Sequence, residues 1–370
     1  MPGMANIAGT EVGRPATIDD VTPEWLTSVL RTSGALPEGG RVATVEATSF
    51  AEGVGFLSYL YRVDLTHEGE AGDAPATVIV KFPVDTAMRG IADGLAFYQR
   101  ELRYYTELAA EAPFRVPQAH AVVMDADSTD FVLVMEDLSG LRGLDQAAGV
   151  SADDALTAVR GAAGLHASYW ERDLADLATT FLPLDNPIHR AVLPQVFASG
   201  WDRCKAEARD LLPAELAAFG DRYVDRLGWL LEQLSTGTTI VHGDWRADNL
   251  LVDGDGSLAV IDFQIMGIGA PTYDLGYFMS QSLEPDVRHD VADDLVDAYF
   301  AALTGAGVEV DRAAEERLLA LTTAFCLIYP VSTFGSWDDL PENSRNMARA
   351  MLRRSVTAIE ETDALALLPT

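Results

Sequence analysis

From His242 to Phe263 the chain reads HGDWRADNLLVDGDGSLAVIDF, and few local folds are compatible with that stretch. Two short apolar runs, Leu250-Leu251 and Leu258-Ala259-Val260-Ile261, flank the turn-rich segment 252–256. The pattern predicts a β-hairpin with Asn249 just before its first strand and Asp262 at the end of its second. Asp244 stands five residues before Asn249, and Asp262 follows thirteen residues after it. One hairpin thus carries an amide and a carboxylate at its two ends, next to a loop that holds a second carboxylate.

An acid, an amide five residues on, and an acid closing a strand is the order of a kinase catalytic loop. Phosphoryl transfer asks for an in-line hydroxyl, neutralised phosphates and excluded water. In that chemistry Asp244 is the catalytic base that takes the hydroxyl's proton. Asn249 and Asp262 offer oxygens to Mg²⁺, a hard ion that fills the rest of its shell with water and phosphate. A calcium loop is the rival for Asp253, Asp255 and Gly256. It fails because the twelfth position from Asp253 is Gln264 rather than Glu, and Gly254 stands where glycine is not required.

Only two lysines occur, Lys81 and Lys205. Lys81 ends the β-branched run 76–82, which reads as a strand. A compact ammonium there suits a point contact to nucleotide phosphates. Apolar residues recur at helical spacing from Asp93 to Glu111, and Glu101 in the middle of that helix can face Lys81 and orient it; Glu107 and Glu111 are its competitors. Further strands are expected at 42–50, 59–65, 119–124 and 131–135. Gly53 and Gly55, in the turn between the first two, are open to two readings: a phosphate-approaching backbone or a plain hairpin turn. Thr22-Pro23-Glu24 marks a helix start that should run to about Arg31 and stop near Gly34. After Met135 a short linker, residues 136–140, offers backbone groups of Glu136 and Leu138 to an adenine edge. From 151 onward the pattern is mostly helical.

The 370 residues carry 57 acidic and 26 basic side chains, a net charge of −31. That excludes sequence-independent nucleic-acid binding and docking on anionic lipid. The apolar stretch Leu318 to Tyr329, stopped by Pro330, is too short for a bilayer and reads as a buried helix, so no membrane partner is expected. Cys204 and Cys326 match no zinc spacing and no disulfide framework. The first residues lack a basic segment followed by an apolar one, so a cytoplasmic location is expected. Oligomeric state is left open.

Together these segments resemble the aminoglycoside phosphotransferase-like superfamily of small-molecule kinases, within it the ecdysteroid-kinase-like and choline-kinase-like branch. The resemblance covers roughly residues 20–340. It rests on HGDWRADNLL (242–251), AVIDFQ (259–264) and PTYDLGYF (271–278), with support from VIVKF (78–82), ELRYY (101–105), VMEDL (134–138) and LHASYW (165–170). It implies an α+β, bilobal protein-kinase-like fold: a small β-rich N-lobe with one main helix, residues 1–137, and a larger, mostly helical C-lobe, residues 138–370. It implies ATP, with GTP as an alternative, and Mg²⁺ as cofactors. It also implies that His242 supports the catalytic loop and that Asp274 anchors it from the next helix. Arg246 is open between phosphate, substrate and solvent, and His166 reads as a satisfied core histidine. The metal-binding Asp262 is followed by Phe263-Gln264 rather than Phe-Gly, and no activation segment ending in Ala-Pro-Glu is present. These departures disfavour a protein substrate. The expected activity is transfer of phosphate to a hydroxyl of a small molecule. A catalytically silent nucleotide-binding protein of the same fold is the alternative. Aromatic residues such as Trp170, Trp201, Trp229, Phe325, Tyr329, Phe334 and Trp337 are candidates for the acceptor pocket.

Overall fold

The computed structural model describes residues 13–49, 57–86, 88–125, 127–236 and 239–369. Gly53 and Gly55 lie outside the described residues. The chain divides into two compact units after Leu141.

In the first unit, helix α1 (Pro23–Thr32) begins as its sequence predicts, with Thr22 Oγ1 accepting the Trp25 N–H at 3.2 Å and Pro23 in the first turn. Strands β1 (Gly40–Ser49), β2 (Ser58–Gly69), β3 (Thr77–Pro83), β4 (Ala119–Met124) and β5 (Phe131–Glu136) form one antiparallel sheet in the order β1-β2-β3-β5-β4. Val78, Val80 and Phe82 of β3 pack with Val132 and Val134 of β5 and with Leu26, Val29 and Leu30 of α1. Each such buried aliphatic side chain contributes about 1.5–3 kcal/mol. Because side chains alternate across a strand, Ile79 and Lys81 fall on the opposite face.

The single helix expected from Asp93 to Glu111 is broken. Helix α2 (Met88–Gly94) ends at Gly94, and Ala96 takes a left-handed conformation (φ 56°) before α3 (Phe97–Arg103) begins. A π-turn over Tyr104–Leu108 and a 3-10 turn over Ala109–Glu111 follow. Apolar spacing cannot reveal these breaks, since each piece keeps its own helical period.

The second unit is mostly helical. Its β elements are two small antiparallel groups: β6 (Arg142–Gly143), β8 (Leu250–Val252) and β9 (Leu258–Val260) in the order β6-β8-β9, and β7 (Thr239–Val241) with β10 (Gly267–Gly269). Around them lie α4 (Ala152–Tyr169), α5 (Pro187–Glu207), α6 (Ala214–Gly220), α7 (Tyr223–Leu234), α8 (Thr272–Ser282), α9 (Pro285–Gly305), α10 (Arg312–Phe325), α11 (Ile328–Thr333) and α12 (Glu342–Glu361). Ser151 and Asn186 cap α4 and α5 through the N–H groups of Asp154 and of Ile188 and His189. The core joins Phe197 and Trp201 of α5, Leu230 and Leu231 of α7, Phe325 of α10 and Leu352 of α12.

The apolar stretch from Leu318 is not one helix stopped by Pro330. It breaks at Cys326-Leu327, and Pro330 sits in the first turn of α11, where a missing N–H leaves no intrahelical bond unmade. The segment Arg312–Asp339 is long and apolar enough by composition to cross a membrane, yet 72% of its apolar stretch is buried inside the protein.

Candidate active site

The hairpin between Asn249 and Asp262 is present. Leu250 pairs with Val260, Leu251 with Ala259 and Val252 with Leu258. The turn closes through Asp253 N–H to Ser257 O at 2.9 Å, with Gly256 at φ +86°. Beyond the paired strands the Ile261 N–H donates to Asn249 O at 3.1 Å, which holds the two ends together. Asp262 follows at φ +64°, a left-handed conformation that costs a non-glycine residue about 1 kcal/mol or more. The next residue, Phe263, is fully buried and lies edge-on to the His242 ring, centroids 5.3 Å apart.

The loop from His242 to Asn249 is held at several points. The carboxylate of Asp274 on α8 has no exposed surface. Its Oδ2 accepts the backbone N–H of His242 at 2.6 Å, and its Oδ1 accepts that of Gly243 at 2.9 Å. His166 Nε2 lies 3.0 Å from Asp274 Oδ2, and its Nδ1 is 2.7 Å from Tyr299 Oη. His166 therefore is a satisfied buried histidine, and the carboxylate it braces holds the loop. Gly243 sits at φ +84°, and a Cβ there would meet Ile265 O at 2.4 Å, so only glycine fits. His242 Nδ1 accepts the Asp244 N–H at 3.3 Å, which leaves Nε2 as the protonated nitrogen donating to Ile261 O at 3.2 Å. Trp245 is fully buried, and Gly161 of α4 admits it: a Cβ at 161 would lie 3.4 Å from its ring and 2.3 Å from Leu258.

These anchors present Asp244 half-buried. Its Oδ1 accepts the Tyr277 hydroxyl at 2.8 Å, and its Oδ2 accepts Asn249 Nδ2 at 2.8 Å. Arg246 Nε is 3.3 Å from Oδ2, and its Nη1 is 3.4 Å from Asp248. Burial alone would raise the Asp244 pKa, but the Arg246 charge, the Tyr277 hydroxyl, His242 and the Asn249 amide together hold it below the usual carboxylate range. Burial, and next the Asp244 charge, push the Tyr277 phenol far up, so it stays a neutral donor. Asn249 spends its Nδ2 on Asp244 O and Oδ2, which leaves Oδ1 with no donor among the described residues. An amide oxygen and a nearby carboxylate fit Mg²⁺, which takes few protein ligands when phosphates supply the rest. Among the described residues no group of three or more His, Cys, Asp or Glu forms a metal cage by itself.

In the first unit, Lys81 Nζ and Glu101 Oε1 are 2.8 Å apart and both side chains are buried. Of the competing acids, Glu107 pairs with Arg103 at 2.8 Å. Glu136 has its N–H on Gln118 O at 2.8 Å and its carboxylate on Arg115 at 2.6 Å. The carbonyl of Leu138 accepts from Leu141 N–H at 2.9 Å, while its own N–H has no acceptor among the described residues.

The sequence reading overlooked Tyr273 and Tyr277. Tyr277 stacks on Tyr329 of α11, centroids 4.3 Å apart and 13° from parallel, and Tyr329 shares a hydrogen bond with the Tyr273 hydroxyl. The available signal was α8 itself: Tyr273, Asp274 and Tyr277 lie on one side of a helix buried along its whole length, where polar groups must find partners. Of the expected aromatic candidates, Tyr329 joins the site. Trp201 stacks on Phe197, and Phe334 on Trp337, within the core.

Comparison with known proteins gives one family. The model of the phosphotransferase enzyme family matches residues 57–314. No curated protein matches the chain significantly. Among solved structures the chain is similar to choline kinase from Cryptosporidium parvum Iowa II, at 12% identity and TM-score 0.56, covering 92% of this chain and 97% of that one. It is also similar to a candidate aminoglycoside phosphotransferase from Ralstonia eutropha JMP134, at 17% identity and TM-score 0.53, covering 91% and 97%. A microcompartment-associated aminopropanol kinase matches at 20% identity and TM-score 0.52, covering 87% and 91%. At such identities the likeness is one of fold: an N-terminal antiparallel sheet and a larger helical part, as in protein kinases.

Proposed function

This chain belongs to the phosphotransferase enzyme family, and on that premise we propose that it moves the γ-phosphoryl group of ATP to a hydroxyl group of a small molecule, with Mg²⁺. The observation that carries the reading is Asp244: a carboxylate held ionised at neutral pH, fixed by Tyr277 and Asn249, one hairpin away from Asp262.

Each residue has a derivable task. Asp244 accepts the proton of the acceptor hydroxyl as its oxygen bonds to phosphorus and the bond from phosphorus to the β–γ bridging oxygen breaks. Tyr277 and Asn249 fix the carboxylate's two oxygens, so the proton acceptor does not swing. Asn249 Oδ1 and the Asp262 carboxylate would hold Mg²⁺, which when bound neutralises phosphate charge. Lys81, oriented by Glu101, would meet nucleotide phosphates, and the Leu138 N–H would meet the base. The names of the fold neighbours, choline kinase and aminopropanol kinase, support a small hydroxylated acceptor over a protein.

The test is direct. Purified protein given ATP, Mg²⁺ and a panel of hydroxylated compounds should yield a phosphorylated product. Asp244→Asn should abolish turnover while nucleotide still binds. Full activity in Asp244→Asn refutes the mechanism, and absence of nucleotide binding by the wild type refutes the function.

A further inference from the structure

The loop's last turn, Ala247–Asn249, is held by a second set of bonds that starts on the C-terminal helix. Arg354 of α12 has no exposed surface, and all five of its N–H donors are spent. Nη1 donates to Gln146 O at 2.5 Å and to Gln281 O at 3.0 Å; Nη2 donates to Ala147 O at 3.0 Å and to Glu284; Nε donates to Glu284 Oε1 at 2.9 Å. A guanidinium can serve this many acceptors at once because its donors form a rigid planar fork.

Gln146, which receives the Nη1 bond, is itself fully buried. Its Oε1 accepts the Ala247 N–H at 3.0 Å and the Ser282 hydroxyl at 2.8 Å. Its Nε2 donates to Gln281 O at 2.7 Å, and its backbone N–H donates to Asp248 Oδ1 at 3.2 Å. The two residues before Asn249 are thus both bound to Gln146. The preceding chain runs alongside in register: Gly143 pairs with Leu251, and Leu144 N–H donates to Leu250 O at 3.0 Å. Gly149 at φ +82° permits the close pass, since a Cβ there would lie 3.2 Å from Arg354 Nη2.

We infer that Arg354 is a positioning residue for the phosphotransfer site, acting through Gln146 to set the turn that places Asn249. The inference rests on the phosphotransferase reading above. Residue 354 lies beyond the stretch 57–314 that the family model matches, so this brace comes from outside the matched segment. The physical case is that Asn249 lies one residue past Asp248 and reaches back to Asp244, so a shift of the turn moves the amide oxygen and the base together. Tight packing passes such a shift on rather than absorbing it.

The experiment compares wild type, Arg354→Met and Gln146→Met as full-length proteins, well below their unfolding temperatures. Binding of a non-hydrolysable ATP analogue is measured in EDTA and in Mg²⁺, alongside kcat and KM for an acceptor found in the panel above. Both variants should bind the analogue in EDTA within about twofold of wild type. The Mg²⁺-dependent gain in affinity should shrink at least fivefold and kcat should fall at least tenfold, with KM for the acceptor little changed. Gln146→Met keeps the Arg354–Glu284 pair, so it decides the matter if Arg354→Met does not fold. Variants that lose melting temperature but keep the Mg²⁺ gain and kcat would show a purely structural brace and overturn the inference. A wild type that binds no nucleotide under either condition would instead remove the phosphotransferase reading, and this inference with it.

Discussion

Asp274→Asn is the most informative single change to the loop's support. The native carboxylate accepts three bonds with no exposed surface: His242 N–H at 2.6 Å, Gly243 N–H at 2.9 Å and His166 Nε2 at 3.0 Å. Asparagine has one acceptor oxygen and one NH₂. With its oxygen in the Oδ2 place it keeps His242 and His166 and turns the NH₂ against Gly243 N–H; the reverse orientation loses two bonds. The first orientation therefore wins. It removes one bond to a charged acceptor, about 1.5–3 kcal/mol, and weakens two others by roughly 1 kcal/mol each. Relief of burying a charge offsets part of that sum. The net loss should be about 3 kcal/mol, a large share of the ~5–15 kcal/mol that holds a domain folded. Urea unfolding followed by tryptophan fluorescence suits the question, because Trp170, Trp201, Trp229, Trp245 and Trp337 all lie in the second unit and only Trp25 does not. A free energy of unfolding within 0.5 kcal/mol of wild type (roughly the effect of a neutral surface change) would refute the account of how the loop is held.

Other expectations follow from the same geometry. Tyr277→Phe removes the 2.8 Å bond to Asp244 Oδ1; if that bond serves to place the base, kcat should fall about tenfold, equivalent to ~1.4 kcal/mol, with nucleotide affinity unchanged in a binding titration. Glu101→Leu removes the carboxylate 2.8 Å from the buried Lys81 ammonium and should cost about 3 kcal/mol in urea unfolding, whereas adding Lys81→Met should recover part of it, giving a non-additive double-mutant cycle. Burial raises the Glu315 carboxyl from 4.5 to about 7, against the Thr272 hydroxyl that favours its charged form. Native Glu315 thus holds a proton that the unfolded chain releases, so its contribution to stability falls as pH rises from about 4.5 to 7. Glu315→Gln should match wild type near pH 4.5 and exceed it by up to about 3 kcal/mol above pH 7, read from melting curves at both pH values; equal melting curves at pH 8 would contradict the burial argument.

What this sequence determined alone is local. The turn residues between two apolar runs specify the hairpin from Leu250 to Val260, because a strand pair needs only its own alternation and a permissive turn. Thr22 and Pro23 specify the start of α1, and the β-branched run at 77–82 specifies the strand bearing Lys81. The spacing of Asp244, Asn249 and Asp262 was legible for the same reason. Breaks were not: Ala96 and Cys326-Leu327 interrupt runs whose apolar period continues on both sides.

Which residues hold the site is settled by contacts between distant parts of the chain. Tyr277 reaches Asp244 across 33 residues, His166 reaches Asp274 across 108, and Arg354 reaches Gln146 across 208. No periodicity spans such separations. A buried polar side chain signals that it has a partner but not which one, and that choice is made when helices α4, α8 and α12 pack and bring donor and acceptor together.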